Sequence, residues 1–169
     1  MSTNTESVEK LVEGMASQLT TLLDTMDYKD PLVIGIHTGG IWVAELLSRL
    51  SGIKSPAGQL NIAFYRDDFS RIGIHPTVAP SNLPIHVEDR HIILVDDVLF
   101  TGRTIRAAMN EIFDYGRPAS ISLAVLVDRS GRELPIQAQV IGKTLPLKAN
   151  EHVKLLGPEP LALEINTTE

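Results

Sequence analysis

Two adjacent carboxylates followed by a hydroxyl-rich and glycine-containing turn form the part of this sequence best suited to chemistry. Asp96 and Asp97 end a run of four apolar residues, Ile92–Val95, and Thr101–Thr104 (Thr-Gly-Arg-Thr) follows after three more apolar residues. A turn of this kind ahead of a helical pattern suits a phosphate group, because its amides and hydroxyls point at one place. Carboxylates suit sugar hydroxyls or a bound Mg²⁺. Together they indicate a site for a phosphorylated sugar.

The apolar run before the acids predicts a buried parallel strand, since it is short and is bounded by acids and a glycine. The acids then lie at the carboxyl end of that strand, where open α/β sheets bind ligands. A second unit of the same kind runs from the apolar segment Leu32–Ile36 through Thr38-Gly39-Gly40 to a helical pattern over Ile41–Leu50. Its turn is predicted to be a second anion site.

The remaining elements alternate between strand and helix. Apolar residues at helical spacing predict helices over Ser7–Met26 and from Ile105 to Phe113, with Gly116 ending the latter. The other predicted strands are Gln59–Tyr65, Ser120–Val127, Val140–Ile141, Val153–Leu156 and Leu161–Ile165. This order predicts one α/β domain over residues 1–169, with a mainly parallel open sheet flanked by helices.

The connection from Arg66 to Arg90 is long, contains three prolines and has no helical period. Long connections in compact domains often act as lids. We therefore predict a flap over the site, at about residues 60–90.

Composition and charge narrow the function classes. The 169 residues are 43% hydrophobic and include no cysteine, so disulfides and thiol catalysis are excluded. No apolar stretch approaches the roughly 18 residues of a membrane span, and no signal-peptide pattern begins the chain, so we expect a cytoplasmic protein without membrane contact. The net charge of −6 disfavours nucleic-acid binding by bulk electrostatics. Eight arginines and no lysine between residues 66 and 132 favour an oxyanion ligand, although solvated arginines explain them equally well.

Two common nucleotide-binding motifs are absent from the sequence. It contains neither G-x-x-x-x-G-K-[ST] nor G-x-G-x-x-G, which excludes a P-loop NTPase and disfavours a dinucleotide-binding domain. A phospho-acceptor receiver domain would explain the acid pair but not Thr-Gly-Arg-Thr.

The segment Val95–Thr104 (Val-Asp-Asp-Val-Leu-Phe-Thr-Gly-Arg-Thr) resembles the motif of type I phosphoribosyltransferases that binds 5-phosphoribosyl-1-pyrophosphate (PRPP). Three further segments, Phe64–Asp68, Asp114–Arg129 and Arg132–Ile136, resemble the PyrR branch of that family in sequence and in order. Members of this branch are uracil phosphoribosyltransferases that also regulate transcription of pyrimidine biosynthesis genes. The resemblance covers about residues 32–142. It implies conversion of uracil and PRPP to UMP and pyrophosphate, with Mg²⁺ as cofactor.

The resemblance also implies roles for individual residues. It implies that Asp96 and Asp97 act in catalysis, hold the ribose hydroxyls and lie near Mg²⁺ through ribose or water. The implied ligands of the 5′-phosphate are these acids with Thr101, Gly102, Arg103 and Thr104. Those of the pyrophosphate are Thr38, Gly39 and Gly40. The flap would contribute Arg66, Asp67 and Asp68, and the base would lie at Arg129, Val140 and Ile141.

Several positions bear on which branch of the family the chain resembles and on how fully it follows that pattern. Phe100 stands where 6-oxopurine enzymes carry an acid, which disfavours a purine substrate because a hydrophobic side chain cannot act as a general base. Gly39 replaces a common arginine, and Gly131 replaces a histidine. Residues 137–143 read Gln-Ala-Gln-Val-Ile-Gly-Lys instead of Arg-Ala-Asp-Tyr-Val-Gly-Lys. A non-catalytic nucleotide-sensing regulator and an enzyme for another base therefore stay open as alternatives.

The expected partners follow from the family and from charge. Residues 1–60 hold four basic side chains against seven acidic ones, a local charge of −3, so an RNA partner is open but not supported by charge. By resemblance, the chain is expected to form a homodimer or a higher homo-oligomer.

Overall fold

A five-stranded parallel sheet is the framework of the chain in this computed structural model, which describes residues 6–62, 83 and 86–169. Its strands are β1 (Leu32–Ile36), β2 (Gly58–Leu60), β3 (His91–Leu99), β4 (Ser120–Arg129) and β5 (Val140–Leu145). They stand in the order β2-β1-β3-β4-β5, and every neighbouring pair is parallel. The α/β class and the mainly parallel sheet predicted from the sequence are confirmed.

In the described part of the chain, three helices cover the two faces of this sheet: α1 (Val8–Met26), α2 (Gly39–Leu50) and α3 (Arg103–Tyr115). Alternate strand residues bury on opposite faces, as the pleat requires. Val33, Ile93 and Val95 join one apolar cluster with α1 and α2. Their neighbours Leu32 and Ile92 join a second cluster that contains the apolar side of α3. The sheet is therefore buried on both faces. A ligand can reach it only at the ends of its strands.

Local residues explain where the helices begin and end. The Ser7 Oγ accepts a hydrogen bond from the Lys10 N–H at 3.3 Å and caps α1. Gly102 has a φ of +95°, which turns the chain from β3 into α3. Gly116 stops α3 with a φ of +155°. These ends agree with the sequence prediction, in which Ser7 and Gly116 marked helix boundaries.

A small antiparallel hairpin follows the main sheet. Its strands are β6 (Glu151–Leu156) and β7 (Ala162–Thr167), and Leu155 is buried in the cluster formed with α1 and α2. Short later strands were predicted here; β6 begins two residues earlier than predicted, and β7 begins one residue later and ends two residues later. No helix in the described ranges is both long and apolar enough to cross a membrane.

Several boundaries differ from the sequence prediction, and two of them affect the site. β3 continues to Leu99, so the acid pair lies inside the strand and not after it. The helix predicted from Ile41 begins at Gly39, so the glycines form its first turn. Of the strand predicted over Gln59–Tyr65, residues 59 and 60 belong to β2, whereas residues 63–65 lie outside the described residues, as does most of the predicted flap.

Candidate active site

The acid pair lies near the carboxyl end of β3, in the middle of the sheet. Asp96 is 5% exposed. The pairing of β3 with β1 stops at Val95, whereas its pairing with β4 continues to Leu99. The Asp97 N–H donates to Oδ1 of Asp96, and the Val98 N–H donates to Oδ1 of Asp97, both at 2.9 Å. Each carboxylate is thereby held by the backbone next to it at the open edge of the sheet.

The first turn of α2 packs directly against these acids. A Cβ atom on Gly39 would overlap the Asp97 carboxylate and lie 2.8 Å from its Cγ. A Cβ on Gly40 would lie 2.7 Å from the Val95 carbonyl oxygen and 3.1 Å from the Asp96 Cα. Both positions therefore depend on the absence of a side chain. The first turn of α2 therefore lies directly against the acid pair.

A third glycine that the sequence analysis did not single out makes this approach feasible. A Cβ on Gly35, in β1, would lie 2.8 Å from both the Gly40 carbonyl oxygen and the Ile41 Cα. Because Gly35 has no side chain, the first turn of α2 can pack directly against β1. A glycine inside a strand often marks the close approach of another backbone, and that signal could have identified it.

The positive end of α2 faces the acid pair, because a helix N-terminus carries unpaired N–H groups and about half a positive charge. Thr38 precedes the helix, and its Oγ1 lies 3.3 Å from Nδ1 of His37. The His37–Thr38 peptide bond is cis. An anion with several oxygens, such as pyrophosphate, suits this helix end.

The second anion-binding turn joins β3 to α3. The Thr101 Oγ1 accepts a hydrogen bond from the Arg103 N–H at 3.1 Å. The Thr101 carbonyl accepts N–H bonds from Glu133 and Leu134, both at 3.0 Å. Thr104 lies in the first turn of α3, so the four residues of Thr-Gly-Arg-Thr end at a helix N-terminus. The turn has the amide and hydroxyl donors that a phosphate group needs.

Arg129 is buried and its guanidinium is fully engaged. Its exposed fraction is 4%, and Nη1 and Nη2 donate to the carbonyls of Glu151 at 2.7 Å and Lys148 at 3.1 Å. Its Nε donates to the Ser130 carbonyl at 3.2 Å, and its Cζ lies 3.9 Å from the centre of the Phe100 ring. Arg129 therefore fastens the loop between β5 and β6 beside Phe100, and each of its three guanidinium nitrogens donates to a backbone carbonyl.

Val140 and Ile141 begin β5, two strands away from β3. Ile141 pairs with Val125 of β4, and Val125 pairs with Asp96, so Ile141 lies level with Asp96 at roughly 10 Å across the sheet. Leu145 pairs with Arg129 nearer the carboxyl edge. Val140 is 1% exposed. These two residues therefore begin β5 at the level of the acid pair, and their contact with a base stays a prediction.

Gln18 of α1, another residue that sequence reasoning missed, already occupies the backbone of Ile141. The Ile141 N–H donates to the Gln18 Oε1 at 3.0 Å, and the Gln18 Nε2 donates to the Ile141 carbonyl at 2.8 Å. Because β5 is the edge strand, this side chain substitutes for a missing neighbour strand. A ligand could use these two groups only by displacing Gln18.

The acid pair fits a divalent cation that shares its ligands with a substrate. Among the described residues, no group of three or more acidic, histidine or cysteine side chains is placed to hold a metal ion on its own. Mg²⁺ is commonly held by one or two carboxylates, with substrate phosphate oxygens and waters completing six positions. Asp96 and Asp97 beside the α2 N-terminus supply the protein part of such a site.

Comparison with known proteins agrees with this geometry. A family model described as phosphoribosyl transferase domain matches residues 3–157. The chain is 60% identical over 161 residues to a "Bifunctional protein PyrR" of Nitrosococcus oceani, covering 94% of this chain and 91% of that protein. It is 56% identical over 155 residues to the protein of the same name from Pseudomonas paraeruginosa, covering 92% and 91%.

The fold is similar to that of solved enzymes. A hypoxanthine phosphoribosyltransferase of Trypanosoma cruzi superposes with a TM-score of 0.65 at 20% identity, covering 83% of this chain and 74% of that one. A hypoxanthine phosphoribosyltransferase of Staphylococcus aureus gives the same TM-score at 18% identity, covering 86% and 80%. At this identity the likeness concerns the fold alone. With the family match and the close relatives, the chain belongs to the phosphoribosyltransferase family and, within it, to the PyrR group.

Proposed function

We propose that this phosphoribosyltransferase transfers the phosphoribosyl group of PRPP to uracil, giving UMP and pyrophosphate. The observation that carries the proposal is the packing of the first turn of α2 against the Asp96–Asp97 pair, which the turn into α3 follows in the chain. PRPP has two ribose hydroxyls between a 5′-phosphate and a pyrophosphate. The carboxylates suit the hydroxyls, and each helix end suits one of the two anions.

In the reaction the bond from ribose C1 to pyrophosphate breaks, and a bond from C1 to uracil N1 forms. The ribose passes through a state with oxocarbenium character, and Asp96 and Asp97 stabilise its positive charge while they hold the hydroxyls. The uracil N1–H is a weak acid, so its proton leaves to solvent without a protein base. The amides at Gly39 and Gly40 hold the departing pyrophosphate. Positioning of the two reactants supplies much of the rate.

A bound Mg²⁺ would offset the negative charge of the pyrophosphate and so make it a better leaving group. We propose Asp96 and Asp97 as its protein contacts, through ribose or water. Arg66, Asp67 and Asp68 lie outside the described residues, and we propose on family grounds that they close over PRPP and exclude water.

For the base we propose the loop from Leu145 to Glu151, because Gln18 already bonds the backbone of Ile141 and Val140 is buried. Two further arguments support this loop. The loop begins at the carboxyl edge of the sheet, and Arg129 fixes its backbone beside Phe100. Phe100 is 41% exposed and offers an apolar surface at the place where an acid would serve a purine. Uracil requires donors and acceptors for its polar edge, and backbone groups of an exposed loop can provide them.

A regulatory role is a second proposal, supported by the word "bifunctional" in the names of the relatives. Such a role requires UMP or PRPP to change the affinity for a partner. The exposed side of α1 includes Glu9, Glu13 and Asp24 against Lys10, so it offers little attraction to RNA phosphates. RNA mobility that does not change with UMP at low salt would count against an RNA partner. A homo-oligomer is proposed from the family alone.

Measurement of UMP formation from uracil and PRPP with Mg²⁺ tests the main proposal. The wild type should form UMP, and Asp96→Asn combined with Asp97→Asn should reduce the rate at least about a hundredfold, because charge stabilisation is lost. Asp114→Asn, an exposed acid near the end of α3, is the matched control and should keep full activity. A folded wild type that forms no UMP at millimolar substrates would contradict the proposal.

A further inference from the structure

Arg132 follows β4 and directs its whole guanidinium at backbone and at one acid. Its Nε donates to the Ile136 carbonyl at 2.8 Å. Its Nη1 donates to the carbonyls of Leu99, at 3.4 Å, and Phe100. Its Nη2 forms an ion pair with Asp128. All three nitrogens are therefore engaged, and the side chain is only 25% exposed.

Residues that follow Arg132 also contact the stretch from Leu99 to Gly102. The Thr101 carbonyl accepts the N–H groups of Glu133 and Leu134. A Cβ on Gly102 would lie 3.0 Å from Cγ1 of Ile136, so this loop rests on the following segment without a gap. Three consecutive carbonyls, those of residues 99, 100 and 101, are thus bonded to residues 132–134.

This arrangement decides where the amides of the phosphate-binding turn point. In a planar trans peptide the C=O and the next N–H point in opposite directions. Because the Phe100 and Thr101 carbonyls face residues 132–134, the N–H groups of Thr101 and Gly102 face the other way. These amides are among the donors that a phosphate at this turn would use.

We propose that Arg132 is a positioning residue for the 5′-phosphate. Its guanidinium faces backbone carbonyls and Asp128, and it acts by holding the Leu99 and Phe100 carbonyls so that the following amides point at the phosphate. Asp128 orients the guanidinium from the other side. The proposal rests on the proposed role of Thr101–Thr104 in binding that phosphate. It adds Arg132, which lies outside this motif, as a residue that the motif needs for its geometry.

The test compares two ligands that use different halves of the site. Calorimetry with Mg²⁺ present would give the dissociation constants of ribose 5-phosphate and of inorganic pyrophosphate for the wild type and for Arg132→Met. We expect binding of ribose 5-phosphate to weaken at least tenfold and binding of pyrophosphate to change less than twofold. Arg132→Lys should restore little, because an ammonium group cannot reach several carbonyls and a carboxylate together. Arg117→Met removes an exposed arginine and serves as the control for charge.

Asp128→Asn provides a milder disturbance should Arg132→Met fail to fold, and it should weaken ribose 5-phosphate binding in the same selective way. Unchanged ribose 5-phosphate binding in folded Arg132→Met would overturn the proposal for Arg132 while leaving the phosphate-binding turn in place. Equal weakening of the binding of both ligands would also overturn it, since a general structural role of Arg132 predicts that result. Failure of the wild type to bind ribose 5-phosphate would refute the role of the turn itself.

Discussion

Gly39, the first residue of α2, lies directly against the carboxylate of Asp97, the second acid of β3. A Cβ at Gly39 would lie 2.8 Å from Cγ and 3.1 Å from Cβ of Asp97. The pyrophosphate end and the ribose end of the proposed site therefore share one surface. Any side chain at position 39 requires a different rotamer of Asp97, and so a different starting geometry of the acid pair.

Gly39→Ala is accordingly expected to lower kcat/KM for PRPP roughly tenfold or more, because small displacements of positioned groups are costly in catalysis. Steady-state kinetics with varied PRPP measure the effect. Gly14→Ala is the matched control, since Gly14 is an exposed residue of α1 and no atom lies within 4 Å of an added Cβ there. Alanine there should keep activity and stabilise the helix by about 1 kcal/mol. Full activity in Gly39→Ala would show that the Asp97 rotamer is unimportant.

Arg129 links Phe100 to the loop between β5 and β6. Its replacement should therefore weaken binding of the base more than binding of PRPP. Arg129→Lys loses the fork that bonds both the Lys148 and the Glu151 carbonyl. We expect the KM for uracil to rise about tenfold and the free energy of unfolding to fall by roughly 2–4 kcal/mol, since these are charge-assisted bonds of a buried group.

The two effects of Arg129→Lys are measured by varying uracil at saturating PRPP and by urea denaturation. Arg117→Lys, on an exposed side chain, should change neither quantity. If the KM for PRPP rose and that for uracil did not, the placement of the base at the loop Leu145–Glu151 would be wrong.

Gln18 provides the opposite expectation, because its side chain already bonds both backbone groups of Ile141. Gln18→Ala frees the N–H and carbonyl of Ile141 at the sheet edge and should reduce stability by roughly 1–2 kcal/mol. The KM for uracil should stay the same. Ser17→Ala, on the neighbouring exposed position, is the control for stability. A large change in the uracil KM with Gln18→Ala would instead support a base contact at Ile141.

Gly131 constrains Phe100 from a second direction. A Cβ on Gly131 would overlap Cε2 of the Phe100 ring and lie 3.1 Å from Cδ2, and the φ of Gly131 is +116°. Gly131→Ala should therefore lower the free energy of unfolding by roughly 1–3 kcal/mol, since backbone strain and ring displacement add. Thermal unfolding measures it. The same substitution at Gly52 tests strain alone, because its φ is +69° and no atom lies within 4 Å. Equal losses at both positions would exclude a contribution from Phe100.

The acid pair and both turns could be predicted because their signals are local. Asp96 and Asp97 follow an apolar run, and each turn combines a strand end, small residues and a helical pattern within about ten residues. The α/β class follows from the same alternation. Gly35 carried a usable signal as well, since a glycine in a buried strand marks a close approach.

The contacts that shape the base side could not be predicted, because they join distant parts of the chain. Gln18 and Ile141 are 123 residues apart, and nothing near either residue indicates the pair. Arg129 was expected at the base on the grounds of its position in the family, but burial and three backbone bonds depend on how β5 and β6 pack. The distance of Val140 and Ile141 from the acid pair depends on the register of β5 against β4.

The most direct test of the account is a panel of bases assayed with PRPP and Mg²⁺. Uracil, hypoxanthine, guanine, adenine and orotate would each be supplied at millimolar concentration, with release of pyrophosphate and formation of the nucleotide both measured. We expect UMP from uracil, with kcat/KM at least a hundredfold above that of any purine, since Phe100 cannot act as a base for purine N7. Faster turnover of hypoxanthine or guanine than of uracil would contradict the assignment.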